Sequence, residues 1–297
     1  MKSKKEFFNM GTYIIGDIHG CFDEWMELKN KIEAEDSQAE FILVGDIIDR
    51  GPKTLEMLKW AMENITPDGK YQMVIGNHES EKMFWLEEYF RNKEIMTGRG
   101  LNYNLHNMSA DGYDFRDVCI ANKISDQQLL EILNFFKSLP FYKERVVNIG
   151  NVNKRFIIVH ATVPRQCLNK DGSFIKRSIT EYKNSNIDKK VEVFSLKEKI
   201  VWDRFHRGYD DFPKTIIIHG HTPTISEEDF PPEENIGKIF YRYNDINVDC
   251  GIVYRLQGHK DGNLAALKLE NLEEQYLYQP TEEVVRTSIK NKQWMLV

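Results

Sequence analysis

The strongest constraint on the fold is a pattern that recurs five times along the 297 residues, a short apolar run ending in a polar cluster. Tyr13-Ile14-Ile15 leads into Gly16-Asp17-Ile18-His19-Gly20, and Phe41-Ile42-Leu43-Val44 leads into Gly45-Asp46. Met73-Val74-Ile75 leads into Gly76-Asn77-His78-Glu79, Phe156-Ile157-Ile158-Val159 into His160, and Thr215-Ile216-Ile217-Ile218 into His219-Gly220-His221. Short apolar runs bounded by turn residues read as buried strands. Helical spacing fills the gaps. Phe22, Trp25, Leu28 and Ile32 share one face; Leu55, Leu58, Met62 and Ile65 share a second; Leu129, Leu133 and Phe136 share a third. Strands alternating with helices predict an α/β architecture with covered sheet faces. In such folds binding residues gather beyond the strand ends, so the five clusters are expected to meet in space.

The rest of the chain carries weaker signals. Ile246 to Asp249, Ile252 to Leu256 and Leu264 to Leu269 read as antiparallel strands, with Gly258-His259-Lys260-Asp261-Gly262 as the turn between the last two. Residues 91–150 are rich in helical signal and are expected to form a side lobe on a single domain spanning 1–297, followed by a tail at 280–297. The charged stretch Lys183 to Lys199 reads as the most loop-like interior segment, and Pro231-Pro232-Glu233-Glu234-Asn235 as a breaker.

Composition narrows the partners. The formal net charge is -6, which gives no global pull toward nucleic acid or an anionic membrane. No apolar run approaches the roughly 20 residues that span a bilayer. Residues 1–10 lack the apolar core of a secretory signal. Cys21, Cys119, Cys167 and Cys250 are scattered, without a Cys-x-x-Cys pair. A reducing, cytoplasmic setting is expected, with neither a zinc knuckle nor a disulfide framework.

The clusters supply metal ligands. Asp17 and His19 lie two residues apart, so a turn after the first strand can aim both at one ion. Asp46 offers an anionic oxygen able to bridge two ions, Asn77 an amide oxygen, and His160 and His221 imidazole nitrogens. This mixture suits two divalent ions of manganese, iron or zinc better than calcium, with manganese first. One Gly-Asp-x-His is weak; five clusters in order, each at a strand end, are specific.

Gly16-Asp17-Ile18-His19-Gly20, Gly45-Asp46-Ile47-Ile48-Asp49-Arg50-Gly51 and Gly76-Asn77-His78-Glu79 resemble the signature of the phosphoprotein-phosphatase type of calcineurin-like metallophosphoesterase. Val159-His160-Ala161 and Gly220-His221-Thr222-Pro223 resemble its remaining metal segments. The nearest look is to the compact bacterial and phage serine/threonine phosphatase branch, which also contains symmetrical diadenosine tetraphosphate hydrolases. The resemblance implies a four-layer fold, two mixed β-sheets flanked by helices. It also implies that Asp17 and His19 hold the first metal, that Asp46 bridges, and that Asn77, His160 and His221 hold the second. His219 is a competing candidate, read as a strand-end residue. Where the family often has His-Gly-Gly or His-Ala-Gly, this chain has His160-Ala161-Thr162, a bulkier loop.

The same resemblance sets the expected chemistry. Water activated between two ions would attack phosphorus in line, without a phosphoenzyme. Arg50 and, less strongly, Arg204 would hold phosphate oxygens through the guanidinium fork, with Arg207 as a possible substitute for Arg204. His78 would protonate the leaving oxygen, with Asp49 orienting its ring; a turn or helix-capping role is the plainer reading of Asp49. The leading expectation is a phosphoric ester hydrolase acting on phosphoserine or phosphothreonine in a protein or peptide. The alternatives are a phosphorylated small molecule or nucleotide, as in a symmetrical diadenosine tetraphosphate hydrolase, and a non-catalytic metal-binding scaffold. For a nucleotide, substrate choice would lie in Arg91 to Gly150 and Asn169 to Lys190, where Tyr103, Tyr113 or Phe115 could stack on a base, though packing within the lobe is the plainer reading. Tyr254 is a weak candidate for the rim of the site.

Overall fold

The computed structural model describes residues 11–91, 114–176, 187–204, 212, 214–225 and 237–280, with 187–194 described as backbone only. Two five-stranded mixed sheets form the centre. The first runs in the order β10-β9-β1-β2-β3, from β1 (Thr12–Ile15), β2 (Glu40–Leu43), β3 (Tyr71–Met73), β9 (Ala265–Lys268) and β10 (Glu273–Tyr276). The second runs β4-β5-β6-β8-β7, from β4 (Tyr142–Ile149), β5 (Val152–Val159), β6 (Thr215–His219), β7 (Phe240–Arg242) and β8 (Asp245–Asn247). β1, β2 and β3 are parallel, as are β5, β6 and β8; β9, β10, β4 and β7 add antiparallel pairings.

Strand periodicity explains the layers. Ile14 and Ile42 in one sheet and Phe156, Ile158, Ile216, Ile218 and Ile246 in the other belong to one buried cluster, the seam between the sheets. Their neighbours Tyr13, Ile15, Phe41, Leu43, Ile157, Val159 and Ile217 point the opposite way into the helix-covered cluster. Both faces are therefore dry, which is why these strands are continuous apolar runs. The outer helices are α1 (Phe22–Glu35), α2 (Thr54–Asn64), α3 (Asn77–Arg91), α4 (Phe115–Ala121), α5 (Asp126–Ser138) and α6 (Ile187–Trp202). α5 starts with a complete capping box, Ser125 with Gln128, and buries Leu129, Ile132, Leu133 and Phe136 on the core.

Several local expectations change. Lys183 to Lys199 is not a loop where it is described: α6 begins at Ile187, burying Leu196, Ile200 and Val201 and leaving Glu198 and Lys199 exposed. α2 buries Thr54, Met57, Leu58 and Ala61, so its inner face is rotated from the one expected through Leu55, Met62 and Ile65. Helix does not extend through 91–150. It ends at Ser138, and β4 and β5 form a hairpin from Tyr142 to Val159, closed by Gly150 and Asn151 at φ 57 and 70. Ile252–Leu256 is a short helix, α7, instead of a strand, because Gly251 at φ 71 turns the chain out of the sheet. Residues 92–113, with Tyr103 and Tyr113, the breaker at 231–235, Arg207, and the tail from 281 lie outside the described residues. All four cysteines are buried. Among the described residues, no helix is long and apolar enough to cross a membrane.

Candidate metal centre

Register brings the ligand loops level. Ile15 pairs with Leu43 and Leu43 with Met73, so the loops carrying Asp17, Asp46 and Asn77 leave the first sheet side by side. Ile158 pairs with Ile218 in the second sheet, which does the same for His160 and His221. The two sets meet at the seam. The backbone there is strained: five of nine non-glycine residues with positive φ among the described residues are His19, Asp46, Asp49, Arg50 and His221. Glu79 helps hold this geometry. Its carboxylate accepts from the backbone N–H groups of Asp46 and Ile47, both at 2.9 Å, and of Gly76 at 3.0 Å. A Cβ on Gly76 would lie 2.2 Å from Asp46 Oδ1 and 2.3 Å from Asp46 N, so that position needs glycine.

Three imidazoles each turn one nitrogen outward to a carbonyl. His19 Nδ1 faces Ile48 O at 3.0 Å, His160 Nδ1 faces Val44 O at 2.9 Å, and His221 Nε2 faces Trp202 O at 3.2 Å. Donation to those carbonyls leaves, in the neutral ring, an inward lone pair. His160 Nε2 and His221 Nδ1 both aim at Asn77 Oδ1, each at 2.8 Å. Asp46 Oδ2 sits 3.3 Å from His160 Nε2, 3.6 Å from His19 Nε2 and 3.9 Å from His78 Nε2. Two triplets of ligand atoms lie within 4.8 Å of one another: His19, Asp46 and His78, and Asp46, His160 and His221. Asp46 belongs to both. His219 faces Gly220 O at 2.9 Å and Asp245 Oδ2 at 3.3 Å, so both of its nitrogens point to acceptors away from this cluster.

Asp17 stands beside the second sheet's loop. Its Oδ2 accepts from His221 N at 3.0 Å, and its buried Oδ1 has no hydrogen-bond partner. A Cβ on Gly220 would lie 2.0 Å from that orphaned oxygen. Burial first, then the carboxylates of Asp249 and Asp46, hold Asp17 well above the usual carboxylate range. Burial likewise raises Asp249 to about 6 and, with Asp46 nearby, Glu79 to about 7. Burial and the Arg50 guanidinium hold His19 well below its ordinary value, and burial with His160 lowers His221 to about 2. Asp46 differs: burial would raise it, but the neighbouring imidazoles of His160, His78 and His19 outweigh that and hold it well below.

The donor set fits divalent cations. Inward imidazole lone pairs face an amide oxygen, and an unpartnered buried carboxylate oxygen lies in the same cleft; a cation satisfies both.

His78 is placed differently. Its Nδ1 meets Asp49 Oδ2 at 2.6 Å. Burial opposes its charge, but Asp46 and Asp49 outweigh that and raise its pKa. Asp49 does not cap α2; its Oδ1 accepts from Phe115 N at 2.6 Å, and Lys82 Nζ lies 3.2 Å from its Oδ2. Lys82 is buried and also meets Asp114 at 3.1 Å. Phe115, considered above for base stacking, is fully buried against Trp85 and Phe136.

Arg50 donates to His19 Nε2 at 3.1 Å, and with Arg204, His221 and Tyr254 it lines a cavity of about 220 Å³. Ala161 N donates to Ile200 O at 2.9 Å, which ties the loop after His160 to the end of α6. Glu79, Lys82 and Asp249 are buried charged residues of this site that no ligand or acid–base motif covers. Glu79 alone carried a signal, as the last residue of the Gly76–Glu79 cluster.

A model of calcineurin-like phosphoesterases matches residues 10–259, and the chain belongs to that family of metallophosphoesterases. Such enzymes work with a dinuclear divalent metal centre. The chain is 25% identical over 268 residues to bis(5'-nucleosyl)-tetraphosphatase PrpE [asymmetrical] of Halalkalibacterium halodurans, covering 88% of this chain and 90% of that protein. A stretch of 70 residues is 44% identical to the symmetrical bis(5'-nucleosyl)-tetraphosphatase of Buchnera aphidicola subsp. Baizongia pistaciae, covering 24% of each chain. A serine/threonine phosphatase of Saccharomyces cerevisiae with similarity to human phosphatase PP5 aligns over 94% of this chain and 82% of its own, at 15% identity and a TM-score of 0.49.

Proposed function

We propose that this phosphoesterase cuts nucleoside polyphosphates of the diadenosine tetraphosphate class, using the cluster around Asp46 with His78 as the proton donor. The observation that carries the chemistry is Asp46 Oδ2, reached by His160, His19 and His78 between 3.3 and 3.9 Å. The substrate class is supported by the likeness, over 88% of the chain, to a protein named a bis(5'-nucleosyl)-tetraphosphatase. This reverses the order of preference drawn from the motifs, which placed phosphoserine and phosphothreonine first.

Asp17, His19 and Asp46 would hold one divalent ion, and Asp46, Asn77, His160 and His221 the other. When bound, the ions would supply an acidified water and positive charge for the phosphoryl oxygens. The chain's own groups do the rest. Arg50 and Arg204 bind non-bridging oxygens and orient the phosphoryl group. His78 donates Nδ1–H to Asp49, and because Asp46 and Asp49 raise its pKa the ring takes a second proton on Nε2; as the imidazolium it delivers that proton to the leaving oxygen. Lys82 and the Phe115 N–H keep Asp49 in place.

A protein substrate remains the second reading, favoured by the exposure of Phe84 and Trp202, 43% and 46%, which line one surface pocket. The test is side-by-side hydrolysis of diadenosine tetraphosphate and a phosphothreonine peptide after metal removal and manganese restoration, with a chelator control. We expect kcat/KM for the nucleotide to exceed that for the peptide by at least about tenfold. A preference for the peptide would restore the protein-phosphatase reading.

A further inference from the structure

We propose that the outer end of the cavity beside Arg50, at Tyr254 and His259, is a second phosphate subsite, taking the phosphoryl group next to the one being cut. It deepens the nucleoside polyphosphate reading and rests on it.

The cavity opens directly off the metal cluster, because His221 lines both. Its polar lining is Arg50, Arg204, His221, Tyr254 and His259, and no carboxylate lines it among the described residues. The two guanidinium forks hold the phosphoryl group being cut, and the Tyr254 phenol and the His259 imidazole continue the donor-rich wall outward to the oxygens of the next one. The neighbouring surface pocket that includes Trp202, whose ring lies 6.2 Å from that of His221, has another character. There Glu81, Glu198 and Asp203 stand with Phe84 and Trp202, and Lys199 is the lone lysine or arginine of that lining. A polyanionic chain leaving the cluster is repelled by those carboxylates and drawn toward the arginines.

His259 is held in position by a braced turn. Its backbone N–H donates to Tyr254 O at 3.0 Å, and its carbonyl accepts from Gly262 N at 3.0 Å. Gly258 N donates to Arg255 O at 3.1 Å, and Asn263 N to Cys250 O at 2.9 Å. Arg255 closes the turn from the side by donating Nη1 to the carbonyls of Lys260 and Gly262. The His259 ring then stands edge-on to Tyr254, with centroids 6.0 Å apart. A segment that reads in sequence as a connector between strands is thus one wall of the cleft. A phosphomonoester brings a single phosphoryl group, which the cluster, Arg50 and Arg204 take. Only a substrate with a neighbouring phosphate reaches Tyr254 and His259.

The test compares inorganic phosphate with inorganic pyrophosphate as inhibitors of p-nitrophenyl phosphate hydrolysis, at equal free manganese, in the wild type and His259→Ala. Metal chelation by pyrophosphate in solution is the same for both proteins, so the variant comparison isolates the subsite. We expect the wild type to bind pyrophosphate roughly tenfold more tightly than phosphate, and His259→Ala to lose most of that ratio, with His259→Gln restoring part of it. A ratio unchanged in His259→Ala, or equal weakening of both anions, would overturn the subsite. Calorimetric binding of both anions keeps the test independent of turnover. Absence of any phosphate ester hydrolysis would overturn the proposed function, while the binding ratio would still decide the subsite.

Discussion

Around Asn77 the ligand atoms are packed against one another, whereas around Asp17 buried carboxylates gather and one oxygen has no hydrogen-bond partner. His160 and His221 both reach Asn77 Oδ1 at 2.8 Å, and each ring is fixed by a backbone carbonyl on its far side. That half is organised by hydrogen bonds before any ion arrives. The other half has a carboxylate oxygen without a partner, a second buried carboxylate in Asp249, and His19 3.6 Å from Asp46. It also has His78 within ligand distance of the same oxygens as His19. The difference teaches that preorganisation and charge balance are separate devices. The Asn77 half is set by geometry, and the Asp17 half depends on a cation to offset its negative charge.

Asp46 joins the halves, so its replacement has the largest effect. Asp46→Asn is expected to lose both ions and several orders of magnitude in turnover, read by metal analysis and p-nitrophenyl phosphate hydrolysis; one ion retained in full would show the halves to be independent. His78→Asn separates acid from ligand. It should keep both ions while slowing turnover about 10²–10⁴-fold, most for poor leaving groups. Loss of one ion would instead make His78 a ligand of the Asp17 half. Glu79→Gln should leave the fold intact and weaken metal binding by about 10–100-fold, since one amide cannot accept all three backbone N–H groups. Unchanged affinity on calorimetric titration would remove Glu79 from the account.

The smallest effect concerns the charge imbalance alone. Burial raises Asp249 from the ordinary 3.8 to about 6, so the folded, metal-free chain holds a proton that the unfolded chain releases. Metal-free wild type should therefore lose stability as pH rises through that window and remain lower above it. Asp249→Asn removes the imbalance. In metal-free protein it should match the wild type near about pH 4 and exceed it near about pH 7.5, by on the order of 2 kcal/mol. A difference that does not change with pH would show that Asp249 is not under this strain.

The convergence of the candidate ligand loops was legible because metal chemistry restricts residue types and strand ends fix where they sit. Asp17, Asp46, Asn77, His160 and His221 each follow an apolar run, and parallel register does the rest. β4 was not legible from its apolar content. It lies at a sheet edge, most of its residues are half-buried or exposed, and only Gly150-Asn151 marked the hairpin. α6 was hidden by the density of charged residues in its sequence, and α7 by β-branched residues that Gly251 redirects. Glu79 and Lys82 act through contacts distant in sequence, with the loop at Asp46 and with Asp49 and Asp114. No local pattern distinguishes such buried charges from surface ones.

The most direct test is a crystal structure of the manganese-restored protein with anomalous data at the manganese edge. We expect two peaks flanking Asp46 Oδ2, one ligated by Asn77, His160 and His221 and the other by Asp17 and His19. A single peak, or a second ion held by His78 with Asp17 turned away, would contradict the account.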